Sequence, residues 1–268
     1  MTALRVVAAF LVRDFRINIS YRSSFALQTL STVFQLSLFF FLSRVINHGS
    51  FDSQNLSGGY FGYAAVGLLV LTMVQTSMGS FSLKLHDEQT TGTFEALMAS
   101  PTSPSLIVLA SAGYELVRAV ISGAILIVVA ITVFGLRFEL DPGSVGVAAV
   151  ALVGCLGLFA SLGIAVAALT VIVKRTVGLL GLMFAGIALL AGVYFPLSVL
   201  PDPIEWVARA LPITWGLDVL RASLLGGDVD PAQLAGLFAS AALLLPVALY
   251  GFTLAVRRAR QTGTLAQY

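Results

Sequence analysis

The side chains that most often carry catalysis are scarce in this sequence. Neither lysine, Lys84 or Lys174, follows a G-x-x-x-x-G phosphate-binding loop, so the chain has no P-loop with which to hydrolyse ATP. The two histidines, His48 and His86, are separated by a long apolar run, which predicts neither a joint metal site nor a partner for an intramembrane serine. A single cysteine, Cys155, excludes a disulfide framework and a cysteine-based zinc site. We therefore expect a chain that is not an enzyme, with no catalytic and no metal-binding residues.

Polar side chains inside apolar runs are the remaining candidates for chemistry. Glu115 and Arg118 lie three residues apart, a spacing that predicts an ion pair along one helix face. The densest cluster of neutral polar residues within an apolar run has four members: Thr72, Gln75, Thr76 and Ser77. Such residues either make hydrogen bonds between helices or contact a molecule that crosses the membrane, and the sequence leaves both interpretations open.

The apolar runs that hold these residues are long enough to cross a membrane. Hydrophobic residues make up 58% of the chain and charged residues 10%, against about 25% charged residues in a soluble domain. Each run supplies the roughly 20 apolar residues of a transmembrane helix, and none alternates as a membrane barrel would. We predict an all-α, polytopic membrane protein with a single transmembrane domain over residues 1–268. Six spans are expected at about 23–46, 60–83, 105–134, 144–173, 177–196 and 231–256.

Charges between the spans differ between the two sides of the membrane. One side holds ten basic residues: Arg5, Arg13, Arg16, Arg22, Lys84, Lys174, Arg175, Arg257, Arg258 and Arg260. The other side holds four arginines, Arg221 among them, and eight carboxylates. Because basic loops stay in the cytoplasm, this asymmetry predicts a multi-pass protein of the cell inner (plasma) membrane with cytoplasmic N- and C-termini.

Two cytoplasmic segments outside the spans have amphipathic patterns. Residues 3–18 predict a helix lying in the headgroup region, with apolar side chains on one face and arginines opposite; a plain basic flank is the alternative. Residues 86–100 predict a short helix on which Phe94, Leu97 and Met98 share one face. That face either contacts a protein partner or packs on the chain's own bundle, and the spacing favours neither.

The segment Val193–Asp230, here called the pre-span segment, is too polar to cross the membrane and too apolar for a free loop. It contains Trp206 and Trp215, the only tryptophans, and this residue type favours the membrane–water interface. We predict short re-entrant or interfacial outer helices over 200–226, with a plain extracellular loop as the alternative.

Three stretches of this sequence resemble one family of membrane proteins. The loop E-Q-T-T-G-T-F-E-A-L-M-A-S-P-T-S, Glu88–Ser103, resembles the coupling segment of the ABC-2 type permeases, the membrane subunits of type-2 ABC exporters. The stretches F-P-L-S-V-L-P, Phe195–Pro201, and L-P-I-T-W-G-L-D-V-L-R, Leu211–Arg221, resemble the outer segment before that family's last span. The N-terminal helix and the six spans complete the resemblance, which covers nearly the whole chain.

The resemblance implies a transport function and its partners. It implies a permease that forms, as a homodimer or with a related paralogue, the path for a hydrophobic or amphipathic substrate: a drug, a lipid or a lipid-linked glycan. A separate ATP-binding subunit would bind ATP and Mg, so we expect no cofactor on this chain, contact with membrane lipid and no nucleic acid. The docking residues would be Glu88, Gly92, Thr93, Phe94, Glu95, Leu97 and Met98. The path residues would be Thr72, Gln75, Thr76, Ser77 and Phe184.

An ion-coupled secondary transporter without an ATPase partner is the alternative function. Such transporters use carboxylates near the middle of the membrane. The apolar runs of this chain lack further buried charges of that kind, which argues against this alternative.

Overall fold

The computed structural model describes residues 11–15, 22–46, 58–90, 103–138, 141–172 and 177–261, and every regular element in these ranges is helical. The helices are α1 Arg22–Val45, α2 Gly59–Thr90, α3 Pro104–Thr132, α4 Pro142–Ile172, α5 Val177–Leu190, α6 Asp202–Arg209, α7 Pro212–Leu225 and α8 Pro231–Gln261. Residues 11–15 are helical as well, and a 3-10 turn, Leu197–Val199, precedes α6.

The prediction of an all-α, polytopic membrane protein is confirmed. Within the described residues, α2, α3, α4 and α8 are long and apolar enough to cross a membrane. α5 is a shorter apolar helix of 14 residues, and α1 has 24 residues. The count of six spans therefore stays a prediction.

Proline and short polar residues determine where several helices begin. α3, α4, α7 and α8 each start at a proline, whose missing N–H would have had no helical partner at that position. The carboxylates of Asp141 and Asp230 accept the amide hydrogens of Gly143 and Ala232 at 3.0 and 2.8 Å, and thereby cap α4 and α8. These local signals are readable in the sequence.

α2 is the central helix of the bundle and packs against α1, α3, α4, α5 and α7. Glycines on its neighbours allow a close approach. Gly123 of α3 lies against the side chains of Leu69 and Met73, and Gly163 of α4 lies beside the backbone of Ser77. Nearly every described side chain of α2 is buried, so this helix can move only together with its neighbours.

α4 and α8 form the most extensive helix pair. Gly154 and Gly157 of α4 face Leu237 and Ala241 of α8, which lets the two backbones come close. A second apolar cluster joins α3, α4 and α8 around the fully buried ring of Phe252. These contacts make α3, α4 and α8 a continuous wall beside α2.

Aromatic rings join the ends of several helices. The rings of Phe40, Phe61 and Phe134 pack with centroids 5.2–5.7 Å apart, where α1, α2 and α3 meet. Phe39 stacks on Tyr194 at 5.1 Å, which ties α1 to the residues that follow α5. Such pairs add to the apolar area that they bury.

The predicted ion pair between Glu115 and Arg118 is confirmed. Arg118 Nη1 lies 3.7 Å from Glu115 Oε2, and the glutamate is buried while the arginine remains partly exposed. In residues 11–15, Arg13 Nε lies 2.9 Å from the buried carboxylate of Asp14. The other residues of the predicted helix 3–18 lie outside the described residues.

Gly154→Val should destabilise the protein because a Cβ at this position would lie only 2.8 Å from Leu237 Cδ2. Overpacking of this kind typically costs about 1–3 kcal/mol. Gly146→Val is the matched control, since it lies on the same helix with no atom within 4 Å of its Cβ position. Thermal unfolding in detergent should show a lower midpoint for Gly154→Val alone; equal midpoints for both variants would contradict the α4–α8 packing.

Candidate functional site

The predicted path residues on α2 fall into two groups. Thr72 and Gln75 are half-buried and share a helix face with Gly79, at spacings of three and seven residues. Thr76 and Ser77 are buried, and the Ser77 hydroxyl donates to the Val74 carbonyl at 3.1 Å. Only the first pair is therefore partly exposed.

Phe184 of α5 lies beside the first group. Its Cζ atom lies 3.7 Å from the position that a Cβ on Gly79 would occupy, which is ordinary van der Waals contact. The structure thus brings the ring of Phe184 to the face of α2 that carries Thr72 and Gln75. We call these three residues, Thr72, Gln75 and Phe184, the α2–α5 polar face.

Most of the predicted docking residues lie outside the described part of the chain. α2 extends to Thr90 and so includes the backbone of Glu88. The others are not among the described residues: Gly92, Thr93, Phe94, Glu95, Leu97 and Met98. The docking surface stays a prediction.

Arg221 makes the most elaborate polar contacts among the described residues. It lies on α7 and is only 4% exposed. Its Nη2 atom lies 2.8 Å from the carbonyl oxygen of Gly192, 3.1 Å from that of Val193 and 3.3 Å from that of Tyr63. Its Nε atom lies 3.4 Å from the same Tyr63 oxygen. One guanidinium therefore connects α7 to α2 and to the end of α5.

Tyr63 contacts both Arg221 and the Gly192 carbonyl. The Arg221 Cζ atom lies 3.4 Å from the centroid of the Tyr63 ring, a cation–π contact sheltered from water. The Tyr63 hydroxyl donates to the Gly192 carbonyl at 3.0 Å. One turn further along α2, a Cβ on Gly67 would overlap the carbonyl oxygen of Val193, so only glycine fits there. We call Arg221, Tyr63, Gly67, Gly192 and Val193 the Arg221 clamp.

The way α5 ends explains why the carbonyls of Gly192 and Val193 need a hydrogen-bond donor from outside the helix. Gly192 has a φ of 66°, and the Val193 amide donates back to the Ala188 carbonyl at 3.3 Å, which is the bonding of a glycine-terminated helix. The chain then leaves the helix with the carbonyls of Gly192 and Val193 directed at Arg221. A cation is favourable here because the C-terminal end of a helix carries partial negative charge.

An open pocket of ≈ 400 Å³ adjoins the Arg221 clamp. Its lining residues include Ser198, Arg209, Asp218 and Asp228 beside Tyr63 and Arg221. Burial raises the pKa of Asp218 above its ordinary value, with the positive charges of Arg221 and Arg209 partly offsetting this effect. Burial likewise lowers the pKa of Arg221. Arg209 of the pocket wall forms an ion pair with Glu205, with its Nη2 atom 2.6 Å from the Glu205 carboxylate.

Sequence reasoning missed the Arg221 clamp. The charge pattern placed Arg221 among the extracellular charges, where solvation is the ordinary outcome. One signal was available: Arg221 follows the apolar residues Val219 and Leu220 and precedes a further apolar pair, Leu224 and Leu225.

In the part of the chain that the structure describes, no group of three or more His, Cys, Asp or Glu residues could hold a metal ion.

Arg221→Met should strongly destabilise the protein because the buried carbonyls of Tyr63, Gly192 and Val193 each lose a hydrogen bond, and only that of Gly192 keeps the Tyr63 hydroxyl as a donor. A buried acceptor without a partner costs about 1–3 kcal/mol. Arg209→Met is the matched control, since its ion pair is exposed and worth about 0–1 kcal/mol. The midpoint of thermal unfolding in detergent should fall by many degrees for Arg221→Met and little for the control; a similar loss for both would show that the clamp is not stabilising.

Asp218→Asn should alter how stability depends on pH. Because the folded protein holds the Asp218 proton above its ordinary pKa of 3.8, this carboxyl destabilises the fold progressively as pH rises through the raised pKa. Asparagine does not titrate, so it makes no such pH-dependent contribution. The stability of Asp218→Asn relative to the unmodified protein should therefore increase as pH rises from 3.8 through the raised pKa of Asp218. Asp228→Asn in the same pocket is the control, and a pH-independent difference for Asp218→Asn would refute the effect of burial.

Comparison with known proteins identifies the family of this chain. The ABC-2 type transporter family matches residues 5–225, which include α1 to α7, the α2–α5 polar face and the Arg221 clamp. No curated protein matches the chain. The chain therefore belongs to the ABC-2 type transporter family, and it is a multi-pass permease subunit of an ABC transporter and not itself an enzyme.

Proposed function

We propose that this chain is the membrane subunit of an ATP-driven exporter and forms, as a dimer, the path for a hydrophobic or amphipathic substrate. A drug, a lipid and a lipid-linked glycan all fit this class. The family generally works with an ATP-binding subunit, and its permease domains typically bind no cofactor of their own. ATP and Mg would accordingly bind to the partner subunit, which supplies the energy for transport.

The α2–α5 polar face is the observation that carries this proposal. Thr72 and Gln75 are half-buried neutral polar residues within the apolar run of α2, and Phe184 lies beside them. Hydroxyl, amide and aromatic groups can contact an amphipathic molecule, while the absence of charge on these three side chains avoids the large desolvation penalty that a charged site imposes. Such a lining favours an apolar or amphipathic substrate over a small ion.

α2 offers a direct mechanical link between energy supply and path. The distance along the helix from Gln75 to Thr90 is 15 residues, or about 22 Å. The predicted docking segment begins at Glu88 in the last turns of the same helix. A displacement of the docking segment by the closing ATP-binding subunits would therefore be transmitted to Thr72 and Gln75 and tilt the bundle from an inward-facing to an outward-facing state.

An exposed apolar stripe on α1 indicates that a second chain or lipid lies beside this helix. The exposed large apolar residues of the stripe recur at helical spacing: Leu27, Leu30, Phe34, Leu38, Phe41 and Val45. A continuous apolar face of this length needs lipid or protein around it. We place the chain in the inner (plasma) membrane with both termini in the cytoplasm, because the basic residues concentrate on that side.

Phe94→Asp combined with Leu97→Asp should abolish docking of the ATP-binding subunit, because two charges replace the apolar docking surface. The tagged permease is purified from its native membranes, and copurified ATP-binding subunits are quantified by mass spectrometry. We expect a loss of roughly tenfold or more, which corresponds to about 1.4 kcal/mol.

The control places the same charges elsewhere. Val199→Asp combined with Val207→Asp changes two exposed apolar residues of the pre-span segment and should leave copurification intact. Full retention of the ATP-binding subunit by the Phe94→Asp, Leu97→Asp variant would contradict the prediction that these residues form the docking surface. Transport driven by an ion gradient without any ATP-binding subunit would instead favour a secondary transporter.

A further inference from the structure

We propose that Arg221 is a positioning residue for transport: through the Arg221 clamp it sets where α5 lies on α2 and thereby places Phe184 in the path. The role in transport rests on the proposed function, because it assumes that the α2–α5 polar face lines the path. The position of α5 on α2 does not depend on that assumption and can be tested separately.

The chemistry of arginine makes the clamp directional. The guanidinium is planar, and it contacts carbonyls of Tyr63 on α2 and of Gly192 and Val193 after α5 while its face covers the Tyr63 ring. A rigid planar group with fixed donor directions specifies one relative placement of these segments. Lysine would retain the charge but not the plane, so it could not define the same placement.

A backbone contact fixes the same point independently of Arg221. The carbonyl oxygen of Val193 occupies the space that a side chain at position 67 would need. The Tyr63 hydroxyl, four residues earlier on α2, holds the preceding carbonyl of Gly192. The end of α5 is therefore located against α2 at two successive turns.

α5 has one face in the apolar core, where Leu180 and Ala188 are buried, and one exposed face. Among the described helices, it packs mainly against α2 and α6. Its opposite face is apolar and exposed at Leu179, Leu182 and Leu189. Apolar burial is non-directional, so the directional hydrogen bonds of the Arg221 clamp define where α5 lies along α2.

The position of Phe184 follows from the clamp because α5 is a short, regular helix. Its 14 residues give a length of about 21 Å, with Phe184 near the middle. A slip of one residue along α2 would move Phe184 by about 1.5 Å and rotate it by about 100°. Such a rotation would turn the ring away from Gly79 and from the α2–α5 polar face.

Spin-label distance measurements can test this placement without nucleotide. Nitroxide labels are attached at Leu182→Cys on α5 and Val117→Cys on α3, whose side chains are 71% and 50% exposed. Cys155 is buried, so the introduced cysteines are the accessible ones. Labelled chain is diluted with unlabelled chain in nanodiscs, so that distances within one chain dominate.

Gly67→Ala and Arg221→Lys should shift or broaden the Leu182–Val117 distance distribution. Gly79→Ala is the matched control for the first variant, because its Cβ would make only ordinary contact with Phe184. Arg209→Lys is the control for the second, because it makes the same change at an exposed arginine of the pre-span segment. Both controls should reproduce the original distribution.

Three outcomes decide the proposal. A changed distribution in both clamp variants, with unchanged controls, supports it. A distribution unchanged in both mean and width overturns it, and a lowered unfolding midpoint beside that result would show that Arg221 stabilises the fold without positioning α5. If Arg221→Lys does not fold, Gly67→Ala and Tyr63→Phe decide, and unchanged distributions in both overturn it.

A second experiment distinguishes failure of this proposal from failure of the proposed function. The same labelled chain is purified with its ATP-binding subunit, and the distance is measured with and without ATP. If no such subunit copurifies, then ATP-driven transport fails as the function. The nucleotide-free comparison still decides whether Arg221 positions α5.

Discussion

A buried guanidinium must find acceptors for its N–H groups, and the arrangement of α2, α5 and α7 meets that requirement. Arg221 finds them in three backbone carbonyls and in the Tyr63 ring. The carbonyls of Gly192 and Val193 are free to accept because α5 ends at Gly192, and Val193 comes close to α2 because position 67 is glycine. The cation, the helix end and the close backbone approach therefore depend on one another, since the loss of any one leaves buried polar groups without partners.

α2 connects this junction to the rest of the protein. Five helices surround it, so its side chains are almost all buried, and glycines on α3 and α4 permit that density. The same helix carries Tyr63 and Gly67 in its first turns, Thr72 and Gln75 further along, and its last described residue at Thr90. A continuous helix transmits displacement along its axis, and in the proposed function this would couple the ATP-binding subunit to the path.

Several features were predictable from local sequence. Long apolar runs between charges indicated membrane helices, and prolines preceded by Asp141 or Asp230 marked helix starts. The spacing of Glu115 and Arg118 predicted their ion pair. The polar cluster on α2 was also visible, but its division was not: Thr72 and Gln75 are half-buried while Thr76 and Ser77 are buried. That division depends on which helices pack on each face of α2, and spacing along one helix carries no information about its neighbours.

The sequence by itself determined that this chain is an all-helical membrane protein and pointed to its family, because hydrophobicity, charge and helix-starting residues act locally along the chain. Only the tertiary structure decided that Arg221 is buried instead of solvated. The partners of Arg221 lie 28, 29 and 158 residues away in the chain. Backbone carbonyls are present at every residue, so no residue type identifies the three that accept from Arg221. Their selection came from the packing of α7 against α2 and from the end of α5 at Gly192.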